Sequence, residues 1–312
     1  MKKAIRFGAI SAFSTLALAT TLATAGSVRP SEGAQMVPTG KGFAVRADGD
    51  AVVHLDAAQA AAGAAGQIVY HGGKVMTNAN GVNVYIIWYG DWSGNTGTTI
   101  VPDFLNNLGN SPYFDINTTY YDKAGAYISG GVNLKAQTND NYSQGTSLTD
   151  AKIQTIVATA ISSGALPKDK NALYFVLTSK DVNETSGFCT QYCGWHTHGK
   201  IASTDIKYSF AGDASRCISS CAAQSTSPNG NPGVDGMISV IAHELEETAT
   251  DPDLNAWYFA SGAENADQCA WTFGTEYTVG NGSKANMKLG SRDYLIQQNW
   301  IRATSGKCAL HL

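Results

Sequence analysis

The stretch GVDGMISVIAHELEETATDP, residues 233–252, organises the rest of this 312-residue sequence. Apolar residues recur in it at steps of three and four, and this spacing predicts an amphipathic helix. These residues are Val234, Met237, Ile238, Ile241 and Leu245. The helix should end near Thr250, because Pro252 disfavours helical geometry in the residue before it and cannot donate a backbone hydrogen bond.

Two polar side chains of this helix are placed to hold a metal ion. His243 and Glu247 are four residues apart, so they lie over one another on one face. Glu244, about 100° further round, takes the place of the general base in the H-E-x-x-H helix of metallopeptidases. Glu247 replaces the second histidine of that motif, and carboxylate oxygen is an acceptable zinc ligand. The alternative is a surface helix whose acidic run Glu244, Glu246 and Glu247 is solvated.

The chain beyond the helix offers a third metal ligand. Glu264 and Asp267 lie downstream, as the third ligand does in zinc peptidases of the glutamate type, and Cys269 is placed to pin their loop. The sequence therefore predicts a divalent metal site of His243, Glu247 and either Glu264 or Asp267, with zinc as the expected metal. One imidazole with two carboxylates is a hard, anionic ligand set, so calcium and manganese are the alternatives.

Two further histidines precede the helix. His196 and His198 alternate, so in an extended segment both side chains face the same side. They are either additional metal ligands or exposed loop residues beside the cysteines. The sequence favours the loop interpretation.

The composition limits the classes of protein to which this chain can belong. Hydrophobic residues make up 43% of the chain and charged residues 15%, with 33 glycines, which is typical of an ordered, loop-rich globular protein. The length allows one large domain or two smaller ones. The formal net charge of −4 provides no basic surface for nucleic acid or an anionic membrane.

The N-terminus has the features of an export signal. A positively charged start precedes a weakly apolar run, which ends in an Ala-x-Ala cleavage site at Ala25. We therefore predict a signal peptide over residues 1–25, a flexible leader over 26–66 and one folded domain over 67–312. No downstream run reaches about 18 apolar residues, so no membrane span is expected in this secreted protein.

An even number of cysteines in an exported chain predicts a disulfide framework. The six are Cys189, Cys193, Cys217, Cys221, Cys269 and Cys308. Neither C-x3-C pair has the C-x2-C spacing of zinc ribbons, and the sequence does not choose among the possible pairings. Proximity predicts two bridges among the first four cysteines, and a third from Cys269 to Cys308 that ties the C-terminus to the loop after the helix.

The remaining periodicities indicate the fold class. Val82–Gly90 and Asn171–Thr178 are near-continuous apolar runs, typical of buried strands. Helices are expected over Val101–Leu108 and Ser147–Ser163, and Tyr113–Leu134 is strand-like. This alternation predicts an α+β or α/β fold, namely a single layered zincin-like domain with a central mixed sheet, the long helix and disulfide-bridged loops.

Segments from about residue 67 to the end of the chain resemble the phosphate-induced protein 1, or EXORDIUM, family. They are YHGG at 70–73, VNVYIIWYG at 82–90, VLTSKDV at 176–182, GFC at 187–189, CG at 193–194, NG at 229–230, GVDGMI at 233–238, residues 250–258, YL at 294–295, Trp300 and all six cysteines. The resemblance implies an extracellular or cell-wall-associated protein. Plant members are linked to growth and cell expansion, with no firmly assigned reaction.

The helix departs from the plant pattern, which commonly lacks its histidine and glutamate. H-E-L-x-E with T-D-P, a tryptophan and E-x-x-D-x-C after it resembles microbial relatives instead. This departure shifts the expected role from growth signalling toward a metal site.

Two functions follow from these features. The first is a secreted metal-dependent hydrolase of peptidase type, in which the metal activates a water molecule and Glu244 takes its proton. The second is a non-catalytic extracellular or cell-wall-associated binding protein with a structural or vestigial metal site. The expected partner is an extracellular protein, a peptide or a cell-wall polymer. The sequence sets neither the substrate nor the oligomeric state.

Overall fold

The computed structural model of the protein describes residues 38–41, 67–303 and 306–312. The predicted signal peptide of residues 1–25 lies outside the described residues. So does the predicted leader of 26–66, apart from 38–41. Within the part of the chain that is described, no helix is long and apolar enough to cross a membrane.

Five strands form a central mixed sheet. In chain order they are β1 (Val82–Tyr89), β2 (Val132–Asp140), β3 (Ala172–Thr178), β4 (Gly194–Ile201) and β5 (Thr204–Gly212). The order across the sheet is β2-β1-β3-β5-β4. All neighbours run parallel except β4, which pairs antiparallel with β5 and forms one edge. The predicted strands β1 and β3 lie inside the sheet, and their burial is expected of strands covered on both faces.

Three helices cover the sheet: α1 (Gly97–Leu108), α2 (Asp150–Ser162) and α3 (Pro232–Thr250). Helix α1 joins β1 to β2, and α2 joins β2 to β3 in the opposite direction across the sheet. Because such crossovers are right-handed, α1 and α2 lie on opposite faces. Helix α3 packs against α1, β4 and β5, so it lies on the same face as α1. The central mixed sheet of the predicted fold is confirmed.

Local sequence explains both ends of α3. The side chain of Asn231 accepts a hydrogen bond from the backbone N–H of Val234, at 3.3 Å, and Pro232 occupies the first turn, where no donor is needed. The helix ends at Thr250, two residues before Pro252, as the sequence predicts.

Burial of α3 is nearly complete. Every residue of the helix except Pro232 and Asp235 is buried, including three glutamates. The alternative in which Glu244, Glu246 and Glu247 form a solvated surface is therefore wrong. A carboxylate removed from water needs hydrogen bonds, a cation or a proton, so this helix has chemical requirements that an ordinary core helix lacks.

The prediction of a strand over Tyr113–Leu134 is wrong. This region contains the 3-10 helix Phe114–Thr119, and the strand begins only at Val132. Tyr113, Phe114 and Tyr120 are buried in the core. The aromatic residues that suggested a strand therefore reflect core packing of an irregular segment, since aromatic side chains are common in both settings.

Short elements complete the domain. Five two-stranded pairs are Val69–Tyr70 with Trp257–Tyr258, Ser147–Leu148 with Asn183–Glu184, Tyr277–Thr278 with Lys284–Ala285, Met287–Leu289 with Arg292–Tyr294, and Asn299–Ile301 with Lys307–Ala309. The remaining helical turns are Ala214–Arg216, Ile218–Cys221 and Asp267–Cys269.

All six cysteines are paired. The bridges are Cys189–Cys217, Cys193–Cys221 and Cys269–Cys308. The first two link the segment before β4 to the segment after β5, and the third joins the loop after α3 to the C-terminus. The predicted regional grouping is confirmed. Each bridge closes a loop of 28 or 39 residues, and loops of this length give roughly 3–4 kcal/mol of stabilisation.

Candidate metal centre

Three elements bring six titratable side chains together, and we call these side chains the carboxylate–histidine cluster. They are His243, Glu244 and Glu247 of α3, His196 of β4, and Glu264 and Asp267 of the loop after α3. Five of the six side chains are at most 1% exposed, and only Asp267 keeps 13% of its side chain in contact with solvent. Charge is therefore concentrated where water is nearly absent.

One trio in the cluster contains the residues that the helical spacing singled out. Nε2 of His243 lies 2.9 Å from Oε1 of Glu247 and 3.4 Å from Oδ1 of Asp267. One ligand atom from each of the three residues lies within 4.8 Å of the others. Of the two downstream acids that the sequence offers, Asp267 is the one that reaches His243.

A second trio lies on the other side of Glu247. Nδ1 of His196 is 3.4 Å from Oε2 of Glu244 and 3.4 Å from Oε2 of Glu247. Glu264 approaches the opposite nitrogen of the same ring, with Oε1 3.6 Å from Nε2. Glu247 thus contributes one oxygen to each trio, and Glu244 and Glu264 belong with His196 rather than with His243.

The loop interpretation of His196 and His198 is wrong. Both lie in β4, where His196 pairs with Ser209 of β5 and is 1% exposed. His198 faces the same side, as the alternation predicts, but its side chain is 35% exposed and contacts Asp205 at 2.8 Å. Strand β4 approaches α3 closely because Gly194 has no side chain; a Cβ there would lie 2.3 Å from Val240.

Neighbouring groups fix the orientation of the first trio. The side-chain nitrogen Nε2 of Gln297 contacts Nδ1 of His243. If Nε2 of His243 binds a cation, Nδ1 carries the proton, and the Gln297 amide turned end for end presents its oxygen to that proton, an arrangement common at metal-bound histidines. The backbone N–H of Asp267 donates to Oε1 of Glu247 at 3.1 Å, and Glu264 N–H donates to Oδ2 of Asp267 at 2.9 Å. Gln297 gave no signal in the sequence.

Burial and mutual charge shift the ionisation of the cluster. Burial alone lowers the pKa of His196, but contacts with Glu244 and Glu247 outweigh it and raise the pKa to about 10. Burial raises the pKa of Glu244 to about 7. Burial also opposes ionisation of Glu247, but the charges of His243 and His196 lower its pKa to about 2. Four acids and two imidazoles leave the cluster short of positive charge.

The chemistry of this donor set fits a divalent metal. Buried ligand atoms without a hydrogen-bond partner among the described residues are Nε2 of His196, Oε1 of Glu244, Oε2 of Glu247, Oε1 of Glu264 and Oδ1 of Asp267. Each such atom costs about 1–3 kcal/mol if left unsatisfied. Ligands at about 2.0–2.2 Å from a tetrahedral metal are roughly 3.3–3.6 Å apart. The 3.4 Å separations in both trios match that spacing, whereas the 2.9 Å between Nε2 of His243 and Oε1 of Glu247 is shorter and is a hydrogen-bond distance.

A further group of possible metal ligands already has a lysine side chain as its positive partner. His198, Asp205 and Asp253 place ligand atoms within 4.8 Å of one another. However, Nζ of Lys207 lies 2.8 Å from Asp205 and 3.0 Å from Asp253. This group is best described as an ion-pair network at the end of β4.

Comparison with known proteins identifies the family. Residues 68–294 match the sequence profile described as "Phosphate-induced protein 1 conserved region". The chain is 35% identical over 276 residues to Protein EXORDIUM-like 3 of Arabidopsis thaliana, covering 76% of this chain and 81% of that protein. It is 31% identical over 218 residues to Protein PHOSPHATE-INDUCED 1 of Nicotiana tabacum, covering 61% and 66%. No solved structure matches the chain. The chain therefore belongs to the phosphate-induced protein 1, or EXORDIUM, family.

Proposed function

We propose that this protein is an extracellular metal-dependent hydrolase of peptidase type. The observation that carries the proposal is the trio of His243, Glu247 and Asp267, which offers three ligand atoms within 4.8 Å. The trio is linked to Glu244 through His196, which contacts both Glu247 and Glu244. The central mixed sheet packed on a long helix that bears His243 and Glu247 supports the zincin-like expectation. Three disulfides, together with the relatives, are consistent with an extracellular protein.

Each residue of the cluster has a role in this proposal. His243, Glu247 and Asp267 hold the metal, with zinc as the proposed ion and manganese or calcium as the alternatives for this oxygen-rich set. When bound, a divalent cation lowers the pKa of a water molecule toward neutrality and polarises a carbonyl group. Glu244 accepts the proton, because its pKa of about 7 suits a general base at neutral pH.

His196 acts on the base rather than on the substrate. Its Nδ1 contacts Oε2 of Glu244, which leaves Oε1 of that carboxylate as the atom that accepts a proton. Because His196 holds the Glu244 carboxylate from the neighbouring strand, the base keeps its orientation through the reaction. His196 is therefore a positioning residue in this scheme.

The test compares two isosteric changes on the same helix. Wild type, Glu244→Gln and Glu246→Gln are purified as full chains, and their metal content, melting temperature and hydrolysis of peptide and ester panels are measured. Glu246 is buried but lies outside the cluster, so its change is the matched control. We expect Glu244→Gln to keep its metal and its melting temperature while the rate falls about 10²–10⁴-fold.

Two outcomes would overturn the proposal. A wild-type protein that holds stoichiometric metal but hydrolyses no member of either panel would be a non-catalytic binding protein with a structural site. A purified protein without metal that takes up neither zinc, manganese nor calcium would remove the metal site itself.

A further inference from the structure

The open edge of β4 is occupied by the chain's own residues 38–41. Strand β4 has β5 on one side, and no other strand in the described part of the chain pairs with its other side. The backbone N–H of His196 points to this edge and donates to the carbonyl oxygen of Gly40 at 2.9 Å. Because backbone groups two residues apart in a strand face the same way, those of Gly194 and His198 face the same edge.

The contact at Gly40 is close and specific. Gly40 has a positive φ of +69°, and a Cβ built on it would lie 1.9 Å from the carbonyl oxygen of His196. A residue with a side chain is disfavoured at this position both by its backbone conformation and by the strand opposite. Residues 38–41 therefore make a specific contact with β4.

Lys41, the next residue, enters a subsite made for a basic side chain. Its Nζ lies 2.7 Å from Oδ2 of Asp150 and 2.8 Å from Oγ of Ser186. The same ammonium group lies over the rings of Tyr192 and Trp195, at 5.0 Å and 5.6 Å from their centroids. A carboxylate, a hydroxyl and two aromatic faces are the groups that recognise an ammonium or guanidinium ion. We call these four residues the Lys41 subsite.

His196 contacts both residues 38–41 and the carboxylate–histidine cluster. The backbone of His196 binds Gly40, and the imidazole of His196 contacts Glu244 and Glu247 of the cluster. A polypeptide that binds the backbone of His196 at this edge must take the place that residues 38–41 hold.

We propose that the β4 edge and the Lys41 subsite form the substrate-binding groove. The groove takes a peptide whose backbone binds that of His196, with a glycine opposite His196 and a basic side chain immediately after it. Residues 38–41 fill the groove in cis and compete with such a peptide. Cleavage of the bound peptide rests on the proposed function, whereas binding does not.

Binding of a peptide copy of the segment tests the inference. A labelled peptide VPTGKG, residues 37–42, is titrated by fluorescence anisotropy against full-length wild type and Gly40→Ala. Gly40→Ala weakens the binding of the chain's own residues 38–41 to β4 without changing the groove. This variant should therefore bind the labelled peptide at least about tenfold tighter than wild type does. Lys41→Ala is a second variant, which weakens the binding of residues 38–41 through a different contact. Its affinity for the labelled peptide should also be higher than that of wild type.

The Lys41 subsite is tested with a matched peptide. Norleucine in place of lysine keeps the four-carbon side chain and removes the ammonium group, and it should weaken binding to Gly40→Ala by at least about tenfold. Asp150→Asn in the Gly40→Ala background should give a similar loss with an unchanged melting temperature. Equal affinity for the lysine and norleucine peptides, or no binding to Gly40→Ala, would overturn the inference.

Mass spectrometry of the same mixtures separates this inference from the proposed function. A lysine peptide that binds with the expected preference but stays intact contradicts hydrolysis and leaves the groove standing. Cleavage of lysine and norleucine peptides at equal rates supports hydrolysis and contradicts the basic subsite.

Discussion

Oε1 of Glu247 lies 2.9 Å from Nε2 of His243, one turn earlier on the same buried helix. This is the contact that a spacing of four residues favours. The second oxygen of Glu247 turns the other way, toward Nδ1 of His196 on β4. One carboxylate therefore joins the helix to the edge strand, so the metal centre depends on how these two elements pack.

Removing a ligand should abolish metal binding selectively. In His243→Ala the first trio keeps only carboxylates, so zinc affinity should fall by more than the 10–100-fold typical of losing an outer-shell partner. His198→Ala is the matched control, because that histidine lies two residues from His196 but contacts Asp205 instead of the cluster. Zinc titration by calorimetry measures both. Equal zinc affinity in His243→Ala and His198→Ala would contradict the assignment.

Gln297 should matter without being a ligand. Its side-chain amide contacts Nδ1 of His243, and Gln297→Leu removes the partner that fixes the ring. We expect zinc affinity to fall about 10–100-fold while the fold is retained. Gln298→Leu, the neighbouring residue whose amide reaches Cys308 at 3.3 Å, serves as the control. If the two variants bind zinc equally, the orienting role of Gln297 is wrong.

The Cys269–Cys308 bridge should support both stability and metal binding. It closes a separation of 39 residues, so the double change to serine should cost about 3–4 kcal/mol in the free energy of unfolding. Asp267 lies two residues before Cys269, and a looser loop should also weaken zinc binding. Urea unfolding and zinc titration measure the two effects. Thiol titration of denatured, unreduced wild type should find no free thiol, since all six cysteines are paired.

The helix and the positions of its candidate ligands could be predicted from the sequence because their information is local. A period of three to four residues, with Pro252 after it, predicts α3 and its C-terminal end. The spacing of His243 and Glu247 places both on one face wherever the helix packs. Strands β1 and β3 were accessible for a similar reason, because continuous apolar runs imply burial on both faces.

The sequence offered His196 as one of two alternatives, and it gave no signal for Gln297, because long-range packing places both residues. His196 lies 48 residues before Glu244 and Gln297 lies 54 residues after His243. Only the pairing of β4 with β5 and the packing of β4 on α3 bring His196 to the cluster. The burial of Glu246 was equally hidden, since an acidic residue between two others in a helix is most often solvated.

Glu246 provides a prediction about stability rather than metal binding. The residue is fully buried, and its Oε2 accepts hydrogen bonds from the side-chain amides of Asn117 and Asn299. Its Oε1 has no hydrogen-bond partner among the described residues. Burial raises the pKa of Glu246 well above its ordinary value of 4.5, although the two amides and His243 oppose the shift. Over the pH range between the two pKa values, the folded protein therefore binds a proton at Glu246 more readily than the unfolded chain does.

The sign of the pH dependence follows from that proton. Between pH 4.5 and the higher folded value, the native state binds more protons than the unfolded state, so the contribution of Glu246 to stability falls as pH rises. Glu246→Gln is neutral at every pH and keeps an oxygen for both amides. Near pH 8 the free energy of unfolding of Glu246→Gln should exceed that of wild type by about 1–3 kcal/mol. This difference should become smaller toward pH 5.

The control for Glu246→Gln is Glu246→Ala, which leaves the amides of Asn117 and Asn299 unpaired and opens a cavity. It should cost about 2–4 kcal/mol at either pH. Wild type and both variants are unfolded in urea at the same zinc concentration near pH 5 and near pH 8. Because metal affinity itself depends on pH, the variants are compared with wild type at each pH, so that the contribution of the metal cancels. A glutamine variant that is less stable than wild type at the higher pH would show that Glu246 is ionised in the folded protein. In that case a positive charge would have to stabilise the carboxylate, and the charge of His243 acts in that direction.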